Sequence, residues 1–212
     1  MSYWAEITAA IRGLDKWQRA AVATMCVESV SPVVAGFAEP ATRHAFQQAL
    51  NAAWKSVSDR ASDPFVVRAR SLLNDFPESD CDDSHNPAYK VNRALSILAY
   101  ALDGIIEDDS AQRAISACAA AVEIYGGCDV VLTQGNQALK INPANPPPAG
   151  RLESLQIQSQ LHSINEVRNV VKSPNEIVKL MRASATQLAF ELDRVLPVYA
   201  QLLGWKMRTQ LS

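Results

Sequence analysis

At Asp63-Pro64, Asn86-Pro87 and Ser173-Pro174 a short polar side chain stands directly before a proline that opens a helical stretch. No other feature constrains the fold as strongly. Proline fits the first helical position, where its missing N–H would find no partner, and the preceding Asp, Asn or Ser oxygen accepts one of the N–H groups that a helix start leaves unpaired. Glu176, at the third helical position after Ser173, completes a reciprocal capping box. Glu39-Pro40 marks another start. Between these marks the residue usage favours helix. The chain has 32 alanines and only 8 glycines among its 212 residues. Alanine has the highest intrinsic helix propensity, and glycine costs roughly 1 kcal/mol in a helix interior.

Working forward from these starts, the sequence predicts helices near 3–12, 15–30, 40–58, 64–75, 87–107, 110–125, 129–140, 151–171 and 174–203. Apolar side chains recur at three- and four-residue steps within them, as an amphipathic helix requires. Leu14, Trp17, Ala21, Met25 and Glu28 form one stripe; Val91, Leu95, Leu98 and Leu102 form another; Ile177, Leu180, Met181, Leu188, Leu192 and Leu196 run along the last helix. Pro32 reads as the end of the second helix. Gly126-Gly127 reads as a helix C-cap and turn, and Val130-Val131-Leu132 is too short to establish a sheet. The expected fold is all-α, a compact domain of eight or nine helices spanning 1–212. Residues 142–150, rich in proline, form a stiff extended connector, and 174–212 form a C-terminal helical extension.

Composition removes several function classes. Formal net charge is -2 and the isoelectric point about 5.9, so no global basic field would hold nucleic acid or an anionic membrane. No uninterrupted apolar run approaches the ~18 residues of a membrane span. Glu6 interrupts the first apolar stretch, unlike a signal peptide. Cys26, Cys81, Cys118 and Cys128 include no CxxC pair, and reduced thiols in a cytoplasmic protein are the expectation.

Catalytic and metal motifs are sparse. His44, His85 and His162 fall on separate segments, and none has a second histidine four residues away, as a helical metal site would. The loop Glu78-Ser79-Asp80-Cys81-Asp82-Asp83-Ser84-His85 mixes soft and hard ligand types, but its order is not that of a calcium loop. The expectation is therefore no metal, no cofactor and no catalytic residue. Two features could instead serve recognition. Glu28 sits on an apolar stripe near a helix C-terminus, where the dipole disfavours negative charge, and could polarise an interhelical pocket. The stretch 75–109 holds nine acidic residues against Lys90 and Arg93. Within it Asp80, Asp82 and Asp83 precede one long helix, and Glu107, Asp108 and Asp109 follow it.

The spacing Leu14-x-x-Trp17-Gln18, then Glu28, Pro32 and Ala35-x-Phe37, resembles the YjaG-like family of bacterial proteins of unknown function. Leu50-x-x-x-Trp54, Phe76-Pro77 with its downstream acids, the alanine-rich helix containing Tyr100 and Leu102, Asn142-Pro143 and Gln156–Leu161 extend the similarity to about residues 14–170. Ser29 stands where the family usually has Arg after the carboxylate, and Val34 where it usually has an aromatic. The resemblance implies a helical fold and no assigned activity. Together these features lead to a non-catalytic helical protein that binds another protein. Its particular form would be a bacterial immunity-type protein covering a basic toxin, as a monomer or homodimer. The alternative is a small-ligand sensor or an enzyme with a pocket around Glu28.

Overall fold

The computed structural model describes residues 3–107, 110–135, 148–169 and 173–208. Among these it contains no strand. Its helices are α1 (Tyr3–Arg12), α2 (Lys16–Ser29), α3 (Ser31–Phe37), α4 (Pro40–Asp59), α5 (Pro64–Leu72), α6 (Pro87–Ile106), α7 (Ser110–Gln134), α8 (Arg151–Asn169) and α9 (Pro174–Leu202), with a 3₁₀ turn at Leu73–Asp75. The fold is all-α, as the sequence predicts. The capping residues act as read: Asp63 accepts from Phe65 N–H, Asn86 from Ala88 N–H, and Ser173 and Glu176 close their reciprocal box.

α2 is the axis of the bundle and packs against α4, α6, α7, α8 and α9. Every residue from Ala20 to Val27 is buried, so this helix is apolar around its whole circumference rather than along one stripe. Alanines at 20, 21 and 23 let the surrounding helices approach closely on all sides. Pro32 does not end the helical path. Val30 caps α2 and opens α3 in one step, with Pro32 in the first turn of α3, where proline is preorganised.

α7 corrects two further expectations. It runs unbroken through Gly126-Gly127 and includes Val130–Leu132, so neither the turn nor a separate helix at 129 exists. The glycines answer to tertiary crowding: a Cβ at Gly126 would sit 3.1 Å from Glu153 Oε2, and one at Gly127 would sit 2.9 Å from Lys90 Nζ. Close approach here offsets the intrinsic helix cost of glycine. The left-handed residue that follows α7 is Gly135, at φ +66°.

α9 is no appendage. It packs against α2, α3, α4, α7 and α8, and its Ile177, Met181, Leu188, Leu192 and Leu196 belong to the same continuous core as Ile7, Met25, Phe46 and Leu98. After α9 the chain returns as a strap. Trp205 packs edge-on against Phe37 and Tyr199, with centroids 5.7 and 5.5 Å away, and donates its indole N–H to the His85 carbonyl at 2.8 Å. Arg208 donates its backbone N–H to Gly36 O at 2.7 Å and its guanidinium to Glu39. Most of the connector, residues 142–147, lies outside the described residues.

By length and composition two stretches reach what a bilayer crossing needs, Lys16–Phe37 and Ser110–Gln134, each with mean hydropathy 1.5. In the bundle 78% of the first apolar window and 44% of the second are buried against protein. The first is bent at Val30 and forms the centre of the core.

Candidate functional site

Glu28 is engaged by two neighbours. Trp54 on α4 donates its indole N–H to Glu28 Oε2, and Arg182 on α9 holds the same oxygen through Nε at 3.3 Å. The Arg182 guanidinium also lies over the Trp54 ring, 5.7 Å from its centroid. The three side chains tie α2, α4 and α9 together and compensate a carboxylate at the unfavourable end of α2. Trp54 is buried and Trp17 only half-buried.

The acidic stretch separates into structural and free members. Glu78 is buried and accepts from Glu39 N–H at 2.7 Å and Thr42 Oγ1 at 2.8 Å, so the loop supplies the cap that α4 lacks in its own sequence. Asp103 is buried and takes a two-pronged ion pair from Arg70, at 2.7 and 3.3 Å, with Arg113 3.8 Å away. Glu107 is exposed and receives two 2.9 Å bonds from Arg113, which hold its carboxyl below the usual carboxylate range. Arg70 and Arg113 both lie just outside the acidic stretch, which is why a charge count over 75–109 overstates its field. Asp108 and Asp109 fall outside the described residues.

Asp80, Asp82 and Asp83 are exposed and in no described ion pair. Their loop is nonetheless held in shape. Asp83 accepts from His85 N–H, Asn92 donates to the Cys81 carbonyl, and Trp205 occupies the His85 carbonyl. Glu107 is at the far end of the 20-residue α6, about 30 Å away along the helix axis, so the two acidic ends do not form one patch. Among the described residues no three His, Cys, Asp or Glu side chains group as a metal site.

A concavity lies elsewhere. An open groove of about 790 Å³ runs between α3, α4 and α9, lined by Pro32, Val34, Pro40, Arg43, His44, Ala189, Phe190 and Asp193 among others. Phe190 stands on its wall with 60% of its surface exposed. A smaller cleft of about 320 Å³ between α4 and α5 is bordered by Phe65, Leu72 and Phe76. Glu28 lines neither. Pro40, Arg43 and His44 line the groove from the first turns of α4, the helix to whose start Glu78 also binds through Glu39 N–H and Thr42.

The groove was not legible in the sequence because Phe190 falls within a helix whose Ile177, Met181, Leu188, Leu192 and Leu196 stripe faces the core. The missed signal was its offset from the Leu188, Leu192 and Leu196 stripe. Also missed was a polar inner face on α8, where Gln156, Gln160 and Ser163 are fully buried. Beside the α7 glycines, Lys90 is driven below its usual range by burial, and burial pushes the neighbouring Cys128 thiol up to about 12.

Fold and site together define a helical bundle with an open groove of mixed lining between α3, α4 and α9 and, separately, an exposed acidic loop. No family model, no curated protein and no solved structure matches this chain.

Proposed function

We propose that this is a non-catalytic helical protein that acts by binding another protein, with the α3–α4–α9 groove as the contact surface. Phe190 carries the reading. A phenylalanine 60% exposed on the wall of an open groove, with the Arg194 guanidinium 5.7 Å from its ring centroid, leaves apolar area in water that a partner would cover. Buried aromatic anchors commonly dominate interface energetics. Asp80, Asp82 and Asp83, exposed and in no described ion pair, favour a basic partner and speed its approach. An immunity-type protein that neutralises a basic toxin in the cytoplasm is the particular form proposed. Nucleic acid and membrane do not enter this reading. The YjaG-like kinship belongs to it as well: Glu28 and Trp54, two residues of that resemblance, meet in the fold, and Arg182 gives the carboxylate a guanidinium partner where Ser29 offers none.

The test is affinity capture from the native host with the full chain as bait, followed by binding kinetics of the purified pair at low and physiological salt. Phe190→Glu should raise Kd at least 100-fold, mostly through faster dissociation. Charge reversal at Asp80, Asp82 and Asp83 should slow association and flatten its salt dependence. A partner whose affinity ignores both variants would remove the surface, and a metabolite co-purifying beside Glu28 in place of any protein would transfer the case to a ligand-binding role.

A further inference from the structure

Four helices meet at one buried polar point that the proposed function does not use. Cys26 on α2 and Cys118 on α7 are both fully buried, with their sulfurs 3.8 Å apart. Gln160 on α8 donates its amide N–H to Cys26 Sγ at 3.6 Å and to the Cys118 carbonyl at 3.1 Å. The hydroxyl of Tyr3 on α1 donates to Gln160 Oε1, which fixes the amide so that its nitrogen faces the sulfur. The two thiols are therefore neighbours in van der Waals contact, and Gln160 holds its amide N–H toward the Cys26 sulfur.

We propose that Cys26 and Cys118 are an oxidation site that hydrogen peroxide converts to an intramolecular disulfide. Cys26 attacks one peroxide oxygen, giving a sulfenic acid and one water; Cys118 then displaces the hydroxyl from that sulfur, giving the disulfide and a second water. The two electrons removed from the sulfurs are those that reduce the peroxide. Burial sets the character of the reaction. The hydrogen bond from Cys26 and, after it, burial hold the Cys118 thiol well above its ordinary range, so closure is slow and selective for an oxidant of water-like size. The product joins α2 to α7 across 92 residues of sequence, a long loop whose closure restricts the unfolded chain. Cys128, buried beside Lys90, and the half-exposed Cys81 stand outside the pair.

The experiment uses full-length Cys81→Ser protein, which removes the competing accessible thiol. It is exposed to a peroxide dose that fully oxidises Cys81 in the wild type, quenched, alkylated under denaturing conditions and mapped without reduction. The expected result is a mass loss of two hydrogens, a peptide pair joining Cys26 to Cys118, alkylation retained at Cys128, and a melting temperature raised by several degrees. Dithiothreitol should restore both thiols and the original melting temperature. Alkylation of both Cys26 and Cys118 after that dose overturns the proposal, and so does any linkage that includes Cys128.

Discussion

The indole N–H of Trp54 is bonded to the carboxylate of Glu28, and that bond closes the junction of α2 with α4 while Arg182 approaches from α9. Removing the acceptor leaves a buried N–H and a guanidinium without their partner. Glu28→Ala should cost about 1–3 kcal/mol, and Trp54→Phe, which loses both the N–H donor and part of the buried indole volume, about 1–3 kcal/mol. Urea unfolding measures both. A Glu28→Ala protein as stable as the wild type would show that the carboxylate is not structural.

Asp129 on α7 caps α8 from outside. Its carboxylate accepts from Leu152 N–H at 3.1 Å and Glu153 N–H at 2.8 Å, and the close passage leaves room only for glycine at 150, where a Cβ would lie 2.4 Å from Asp129 Cγ. Asp129→Ala should lose about 1–2 kcal/mol, the usual worth of an N-cap. Gly150→Ala should lose at least as much, because it expels the same carboxylate. In the double variant the two losses should sum to less than their separate values, since the cap is lost only once.

The acids of the 75–109 stretch should separate by partner rather than by position. Asp103→Asn weakens the ion pair with Arg70 and should cost about 1–3 kcal/mol. Asp82→Asn, exposed and unpaired, should stay within about 0.5 kcal/mol. Thermal melts of the two variants side by side decide this, and equal effects would contradict the placement of Asp103.

Lys90 gives a pH signature. Burial lowers its folded-state pKa below 10.5, so between the two values the unfolded chain binds more protons than the folded one. Stability then rises with pH across that window, and the penalty for burying the ammonium is fully present below it. Lys90→Met should melt higher than the wild type at pH 7, and the gap should narrow as pH approaches 10. A gap that stays constant from pH 7 to 10 would mean that the amine is not desolvated.

Much of the architecture was legible along the chain because helix starts are local events. Asp63, Asn86 and Ser173 cap N–H groups two or three residues away, and no tertiary contact is needed to recognise them. The stripe through Val91, Leu95, Leu98 and Leu102 likewise marked the buried face of α6, because periodicity and burial coincide there.

What the tertiary structure alone decided concerns residues whose roles come from neighbours distant in sequence. Gly126 and Gly127 punctuate a helix when read locally, yet Glu153 and Lys90 pack against them from 27 and 37 residues away and the helix continues. Glu78, Asp103 and Glu107 look like members of one acidic field, but backbone N–H groups and arginines of other segments compensate them, which leaves Asp75, Asp80, Asp82 and Asp83 as the acids of the described stretch in no described ion pair. Phe190 reads as one more apolar residue in an apolar helix, and only the packing of α9 against α3 and α4 places it on the wall of an open groove with 60% of its surface exposed. Local capping chemistry set where the helices begin. Long-range packing and charge pairing decided which side chains remain available to a partner.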